Sequence, residues 1–286
     1  MSIYKTLIST AALAERLGDP ELVLLDCRFA LSDPASGLAD YTAGHIPGAR
    51  YAHLDADLSG PKLPHAGRHP LPTREAFEAT LAAFGVGRKT QVVAYDQGSS
   101  VFASRLWWLL RVWWGHEAVA VLDGGLALWQ KEGREMSTER PPVARAKPYP
   151  APAFGEAWVV DTSAVHEGLK ADRPRLLVDA RSYERFLGRG EVFDPVGGHI
   201  PGAHSHPFDH NIGASGCFLG AEELRAEFAD VLADRTPAEI VHYCGSGVSA
   251  CHNVLAMMVA GWGITALYPG SWSAWVSDPT RPVERE

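Results

Sequence analysis

The chain carries one series of short motifs twice, and this repetition limits the folds that it can adopt. The pentapeptide HIPGA occurs at residues 45–49 and again at residues 199–203. An apolar segment that ends in Asp-x-Arg precedes each copy, LVLLDCR in the first half and RLLVDAR in the second. Several matching motifs in the same order indicate a duplicated domain.

The motifs that follow HIPGA correspond as well. QVVAYD aligns with EIVHYC, so that Asp96 in the first half corresponds to Cys244 in the second, and VLDGGLALW aligns with LYPGSWSAW. Short β-branched runs alternate with helical stretches such as TREAFEATLAAFG and AEELRAEFADVLA. This alternation predicts an α/β protein with two tandem domains, each a mainly parallel sheet flanked by helices.

The length of the chain agrees with two domains, because 286 residues exceed the size at which one hydrophobic core usually keeps growing. The segment ERPPVARAKPYPAPAF contains five prolines and few large apolar side chains, which is typical of an extended linker. We predict an N-terminal domain over residues 1–140, a linker over 141–154 with its boundary near Pro150, and a C-terminal domain over 155–286.

Composition excludes several classes of function. The net charge of −8 argues against a general attraction to nucleic acid or to an anionic membrane. No apolar run reaches the roughly 18 residues of a membrane span, and the N-terminus lacks the pattern of a signal peptide. The four cysteines are too few for a disulfide scaffold and lack paired CxxC spacing. We therefore expect a cytoplasmic protein that needs no cofactor and no metal, with His45 and His199 serving the repeated turn.

The loop after EIVHY has the composition of an anion-binding loop. A strand leads into Cys244 and the glycine-rich sequence GSGVS, and a helix is predicted from about Cys251 to Ala260. Backbone N–H groups of such a loop, together with the positive end of the helix dipole, favour an anion and would stabilise a thiolate. Cys244 is thus the candidate nucleophile, whereas Cys27, Cys251 and Cys217 are predicted to be core, packing and loop residues.

This ordered set of motifs resembles the tandem-domain rhodanese family over essentially the whole chain. In that family the N-terminal domain is catalytically silent, and Asp96 stands where its nucleophile would be. The resemblance implies a sulfurtransferase in which Cys244 carries sulfur as a persulfide from a small-molecule donor to a thiol acceptor such as thioredoxin. Cell-cycle phosphatases have similar loops, but they need an arginine six positions after the cysteine, where this chain has Ala250.

The loop sequence also suggests which donor is used. Thiosulfate-specific members of the family place Arg or Lys beside the nucleophile, and this loop has neither. It resembles the CGSGVT loop of mercaptopyruvate-using members, with Ser249 in place of Thr. We therefore favour 3-mercaptopyruvate over thiosulfate. One departure weakens this choice, because such members often carry a second arginine where this chain has Asp194, for which Arg189 is a candidate substitute.

The resemblance further implies a set of site residues. A relay formed by Ser246, His69 and Asp57 would protonate the leaving group, and the last two come from the first half, so the site is expected between the domains. Two arginines would hold the donor carboxylate, and the loop backbone would bind the sulfur; these residues are Arg181, Arg185, Gly245, Gly247, Val248 and Ser249. The alternatives are a solvated loop histidine for His69 and ordinary ion pairs for the arginines.

Two other classes of function compete with an enzyme. Silent rhodanese-like domains can serve as binding scaffolds, although a scaffold has no need of a thiolate cradle. A redox sensor would pair Cys244 with Cys251, but seven residues of loop and helix should separate the two by roughly 10 Å, too far for a disulfide.

Overall fold

The computed structural model describes residues 3–142, 149 and 155–285, which form two compact units. The first unit draws on Met1–Gly60, Pro72–Gly155 and Ala214–Phe218, and the second on Pro61–Leu71, Glu156–Gly213 and Leu219–Glu286. The segment 61–71 thus packs with the C-terminal half although it comes early in the sequence. Most of the predicted linker 141–154, including Pro150, lies outside the described residues.

The first unit is built around a parallel sheet with strand order β1-β5-β4-β2-β3. The central strand β4 is buried at every position, as expected for a strand covered on both faces. A π-helix, Leu109–Trp114, continues directly from α4. The elements are β1 (Leu7–Ile8), α1 (Thr10–Ala14), β2 (Leu22–Asp26), α2 (Ser36–Ala43), β3 (Arg50–Tyr51), α3 (Arg74–Phe84), β4 (Gln91–Tyr95), α4 (Val101–Trp108), β5 (Val119–Leu122) and α5 (Gly125–Lys131).

The second unit repeats this plan with a parallel sheet of order β7-β6-β8-β9. Short 3₁₀ turns occur at Glu156–Trp158, Phe208–Asn211 and Pro237–Glu239. The elements are α6 (Thr162–Gly168), β6 (Leu176–Asp179), α7 (Tyr183–Phe186), β7 (His204–Ser205), α8 (Ala221–Leu232), β8 (Ile240–Tyr243), α9 (Ala250–Val259), β9 (Ala266–Leu267) and α10 (Ser271–Trp275). The predicted pair of α/β domains with parallel sheets is confirmed. None of the helices in the described residues is long and apolar enough to span a membrane.

Local sequence explains where the helices begin and end. Helix α3 starts after Thr73, whose hydroxyl accepts the N–H of Ala76, and it ends at Gly85, which has a left-handed φ of +77°. Its apolar positions Phe77, Leu81 and Phe84 share one face and are buried. The prediction of a helix from TREAFEATLAAFG is therefore confirmed.

The Asp-x-Arg motif forms a buried ion pair in both units. In the second unit the Arg181 guanidinium donates to both carboxylate oxygens of Asp179 and to the carbonyl of Gly198, the latter at 2.6 Å. The guanidinium thereby joins the end of β6 to the residue before the HIPG turn. The corresponding residues of the first unit are Asp26, Arg28 and Gly44, with 2.7 Å for the last contact.

Two histidines of the second unit are fully buried. His242 lies on β8 and His252 on α9, and both are completely inaccessible to solvent. Burial lowers the pKa of each imidazole to about 3. Both ring nitrogens of His242 lack a hydrogen-bond partner among the described residues. These side chains are therefore held neutral in the folded protein.

Burial of neutral histidines predicts a loss of stability in mild acid. Because the unfolded chain takes up a proton near pH 6.5 and the folded chain only near pH 3, stability is complete above pH 6.5 and falls as the pH drops below it. The expected loss is about 2 kcal/mol per histidine between pH 7.5 and pH 5. Urea unfolding at both pH values should show a smaller loss for His242→Leu than for wild type. Equal losses would mean that His242 is not held neutral.

Candidate active site

Cys244 stands directly after β8, at the start of a loop that leads into α9. Its side chain is buried, with 1% of the residue exposed. The N–H of Gly247 points at the Cys244 Sγ atom from 3.2 Å, so the loop supplies at least one donor to a thiolate. Val248 is buried in the loop, and Ser249 is the residue that precedes the first turn of α9. The arrangement is the strand, cysteine loop and helix that the sequence predicts.

The amino end of α10 holds the cysteine loop in position. The N–H groups of Trp272 and Ser273 donate to the carbonyls of Cys244 and Gly245, each at 2.9 Å. The close approach explains a glycine in the loop: Gly247 has a φ of +74°, and a Cβ there would lie 2.4 Å from the carbonyl oxygen of Pro269. A side chain at that position would push the loop out of shape.

The segment 61–71 brings two of the predicted relay residues together. The backbone N–H of Arg68 donates to the Ser273 hydroxyl at 3.1 Å, which attaches the segment to α10. His69 Nδ1 lies 2.7 Å from Ser246 Oγ, within hydrogen-bond distance, and both residues are 4% exposed. His69 is thus not the solvated loop residue that the alternative interpretation requires.

Asp57, the third predicted member of the relay, belongs to the first unit. Its carboxylate accepts the backbone N–H of His53 at 2.7 Å. Burial raises the pKa of the Asp57 carboxyl, and the bond from His53 opposes that rise. The relay role of Asp57 remains a prediction.

Two arginines from outside the loop lie against Gly245. A Cβ on this glycine would be 2.9 Å from Arg68 Nη2 and 3.4 Å from Arg185 Nη2. The sequence predicts Arg185 here but misses Arg68, although Arg68 directly precedes the candidate histidine. The loop therefore has two cationic neighbours although it contains no Arg or Lys of its own, so the composition of the loop alone does not argue against thiosulfate.

Two carboxylates neutralise these arginines. Glu191 accepts from Arg185 through both oxygens, at 3.0 and 2.9 Å, and Asp194 forms an ion pair with Arg68. Burial acts to raise the pKa of Glu191, but the N–H of Phe193 and the charge of Arg185 lower it overall. For Asp194 burial prevails and the pKa is raised, with Arg68 opposing the shift.

Of the two other arginines considered from the sequence, Arg181 also contacts Glu191, at 3.5 Å, and Arg189 does not contact it in the described ion pairs. The side chain of Arg181 is fully buried in its contacts with Asp179 and Gly198, as Arg28 is paired in the first unit, and its substrate-binding role remains a prediction. Arg189 is half-exposed and forms an ion pair with Glu184 at 3.8 Å.

The cysteines other than Cys244 have the positions expected of packing or loop residues. All four are free thiols. Cys27 and Cys251 are buried, and the Cys251 thiol lies 3.3 Å from the carbonyl of Gly247, to which it donates. Cys217 lies in a loop and is partly exposed.

The loop at Asp96 has the same framework as the cysteine loop but contains its own anion. The N–H groups of Leu126 and Ala127 hold its carbonyls, as α10 does in the second unit. The Asp96 carboxylate, 2% exposed, accepts four loop and helix N–H groups, those of Gly98, Ser100, Phe102 and Ala103, at 2.8–3.4 Å. Burial raises the pKa of this carboxyl, and these bonds oppose the rise.

Two α/β units of the same plan, one with a loop that begins at a cysteine and the other with a loop that begins at an aspartate, define a tandem-domain class of protein. Comparison with known families identifies the class. The rhodanese-like domain matches residues 9–132 and again residues 161–278. The chain is a member of the rhodanese family and contains two of its domains.

Individual relatives match along nearly the whole chain. A Pseudomonas aeruginosa protein described as a probable 3-mercaptopyruvate sulfurtransferase is 44% identical, over 97% of both chains. A thiosulfate sulfurtransferase from Cricetulus griseus is 33% identical, over 96% of this chain and 92% of its own length. Among solved structures, the 3-mercaptopyruvate sulfurtransferase SseA from Escherichia coli aligns with a TM-score of 0.80 at 32% identity, over 94% of this chain and all of SseA.

Because the Asp96 carboxylate accepts N–H groups of its own loop, we predict that Asp96 contributes to stability and has no role in catalysis. Asp96→Ala leaves buried N–H groups without an acceptor, at a cost of about 1–3 kcal/mol for each that water cannot reach. Urea unfolding of the variant should show a loss of at least about 2 kcal/mol. Sulfur transfer by the folded variant should be unchanged. An unaltered free energy of unfolding would contradict the assigned hydrogen bonds.

Proposed function

We propose that the protein is a sulfurtransferase that moves a sulfur atom from 3-mercaptopyruvate to a thiol acceptor through a persulfide on Cys244. The observation that carries this proposal is the buried contact of 2.7 Å between Ser246 and His69, next to the cysteine. A pair of this kind can deliver a proton, and the choice between the two donors depends on whether the leaving group needs one.

In the first half-reaction the Cys244 thiolate attacks the donor sulfur. The S–S bond forms, the C–S bond breaks, and its electron pair leaves on the enolate of pyruvate, which takes up one proton. In the second half-reaction an acceptor thiolate attacks the outer sulfur of the persulfide and restores the Cys244 thiolate. The Gly247 N–H that points at Sγ supports the anionic form of the sulfur at both stages.

Ser246 is the proton donor to the enolate in this scheme, and His69 returns the proton to the serine. Both side chains are almost inaccessible, so bulk water is a poor substitute. The relay requires a proton on His69 Nδ1, which donates it to Ser246 Oγ as the serine passes its own proton to the enolate. Asp57 is proposed to act further along the relay, as the family resemblance implies.

Arg68 and Arg185 are proposed to hold the donor carboxylate. Both guanidinium groups lie beside Gly245, the residue after the nucleophile, and a planar guanidinium can bind a carboxylate by two parallel bonds. A donor bound there has its sulfur close to Cys244. The backbone of Gly245, Gly247, Val248 and Ser249 would surround the transferred sulfur.

Thiosulfate is the second candidate donor, and the two arginines favour it as well. A sulfonate-like group can bind guanidinium as a carboxylate does. The sulfite leaving group needs no proton, so thiosulfate would make no use of the Ser246–His69 pair. For that reason 3-mercaptopyruvate is the preferred proposal.

The acceptor and the compartment also remain proposals. Transfer from a buried persulfide requires a small thiol or a protein thiol that can reach the site, and thioredoxin is proposed as an acceptor of the second kind. Four free cysteines agree with a reducing, cytoplasmic environment.

The nucleophile is tested with Cys244→Ser. Serine preserves the shape of the site but cannot carry a persulfide, so kcat/KM for either donor, with one thiol acceptor, should fall at least about a thousandfold. Cys251→Ser is the matched control and should retain turnover, because Cys251 lies on the helix behind the loop. Turnover that survives in Cys244→Ser, or that is lost equally in the control, would rule out the proposed persulfide.

The proton relay is tested by comparing the two donors in Ser246→Ala. Loss of a general acid typically costs about 10²–10⁴ in rate, and only the mercaptopyruvate reaction needs one. We expect kcat for 3-mercaptopyruvate to fall about a hundredfold or more, while kcat for thiosulfate changes by less than about threefold. His69→Asn should give the same pattern. Equal losses with both donors would indicate that Ser246 shapes the loop and does not transfer a proton.

A further inference from the structure

Each arginine beside the cysteine loop has one terminal nitrogen that bonds to no other described residue. Arg68 pairs with Asp194 through Nη1. Arg185 pairs with Glu191 through Nε and Nη2. The remaining nitrogens, Arg68 Nη2 and Arg185 Nη1, lie 2.9 and 3.6 Å from the place of a Cβ on Gly245. The N–H groups that can bind a ligand are therefore the ones next to the loop.

The ring of Phe193 contacts both of these guanidinium groups. Its centroid is 5.3 Å from Arg185 Cζ and 5.7 Å from Arg68 Cζ. A cation within about 6 Å of a ring centroid is attracted by the face of the ring. Phe193 is 42% exposed, unusually open for a large apolar residue. One exposed ring thus interacts with two arginines that reach the loop from different segments of the chain.

The backbone of Phe193 is held in place on both sides. Its N–H donates to Glu191 Oε1 at 2.9 Å, and its carbonyl accepts from Arg68 Nη1 at 3.4 Å. The same Glu191 oxygen accepts the N–H of the neighbouring Val192 at 3.1 Å. These bonds fix the position of an apolar ring that packing alone would leave free to move.

We propose that Phe193 is a positioning residue that holds the guanidinium groups of Arg68 and Arg185 with their ligand-binding N–H groups toward the Cys244 loop. This inference rests on the proposed function, in which the two arginines bind the donor. A guanidinium that stacks on an aromatic ring keeps fewer rotamers, and a site that is ordered before binding loses less entropy when the ligand arrives.

The ring acts through the arginines and not on the reacting atoms. It should therefore affect donor binding and leave the chemical step unchanged. Because both candidate donors are proposed to use the same guanidinium groups, the effect should be equal for the two. This pattern differs from that expected of Ser246, whose loss should lower kcat with one donor only.

The experiment uses Phe193→Leu, which keeps an apolar side chain but removes the aromatic face. KM and kcat are measured with 3-mercaptopyruvate and with thiosulfate, with one thiol acceptor. We expect KM to rise about fivefold with each donor, and kcat to change by less than about twofold. Phe193→Tyr keeps the ring and should stay within about twofold of wild type in KM.

Val192→Ala is the matched control. Val192 is 77% exposed and shares the backbone bond to Glu191, but it has no ring to offer the arginines. The control thus removes exposed apolar surface from the same segment, and KM should not change.

A second measurement does not depend on turnover. Pyruvate, the carboxylate product of the proposed reaction, is titrated into wild type and both Phe193 variants by calorimetry. Its Kd should rise about fivefold in Phe193→Leu and stay near the wild-type value in Phe193→Tyr. Thermal unfolding of each variant is recorded alongside to exclude a change in folding.

The outcomes separate this inference from the proposed function. If wild type shows no Cys244-dependent turnover, the proposed function fails, whereas weaker pyruvate binding in Phe193→Leu alone would still support the role of Phe193. If wild type turns over its donors and Phe193→Leu changes neither KM nor the Kd of pyruvate, only the role of Phe193 fails. A loss confined to kcat or to one donor would also overturn it. Wild type with neither turnover nor pyruvate binding would overturn both.

Discussion

The buried ion pair between Asp179 and Arg181 is the contact on which the second unit depends. It joins the end of β6 to the carbonyl of Gly198 just before the HIPG turn, in a region closed to water. Removing one partner of such a pair typically costs about 3–5 kcal/mol, since the other charge remains buried without compensation. The Arg181 guanidinium also packs on the ring of Trp272, 4.8 Å from the ring centroid. Trp272 belongs to α10, the helix that holds the cysteine loop. Arg181 thus contributes to the stability of both the sheet and α10.

The site itself is assembled from chain segments that are far apart in sequence. The loop at Cys244 supplies the sulfur, the segment 61–71 supplies Arg68 and His69, and the segment after α7 supplies the carboxylates that face the arginines. Hydrogen bonds from α10 fix the loop carbonyls, and the Ser273 hydroxyl receives the N–H of Arg68. Helix α10 therefore positions both the cysteine loop and the segment that carries Arg68 and His69.

The fold and the cysteine loop could be predicted because each depends on local pattern. Repeated motifs revealed the two domains, and a strand followed by cysteine and glycines revealed the loop. The charged residues around the cysteine loop could not be predicted from local pattern. Arg68 reaches Gly245 from a segment about 175 residues earlier in the chain, a distance that no local spacing reports. The sequence also does not reveal that the Arg181 side chain is fully buried against Asp179, because burial depends on how distant segments pack.

The carboxylate that fills the loop of the first unit also bears on how such a duplicated chain can evolve. Four amides depend on Asp96, so a mutation that restores sulfur at this position first withdraws their acceptor and lowers stability. A second cysteine loop would thus arise only through a less stable intermediate, because the new side chain would first have to be accommodated without those four hydrogen bonds.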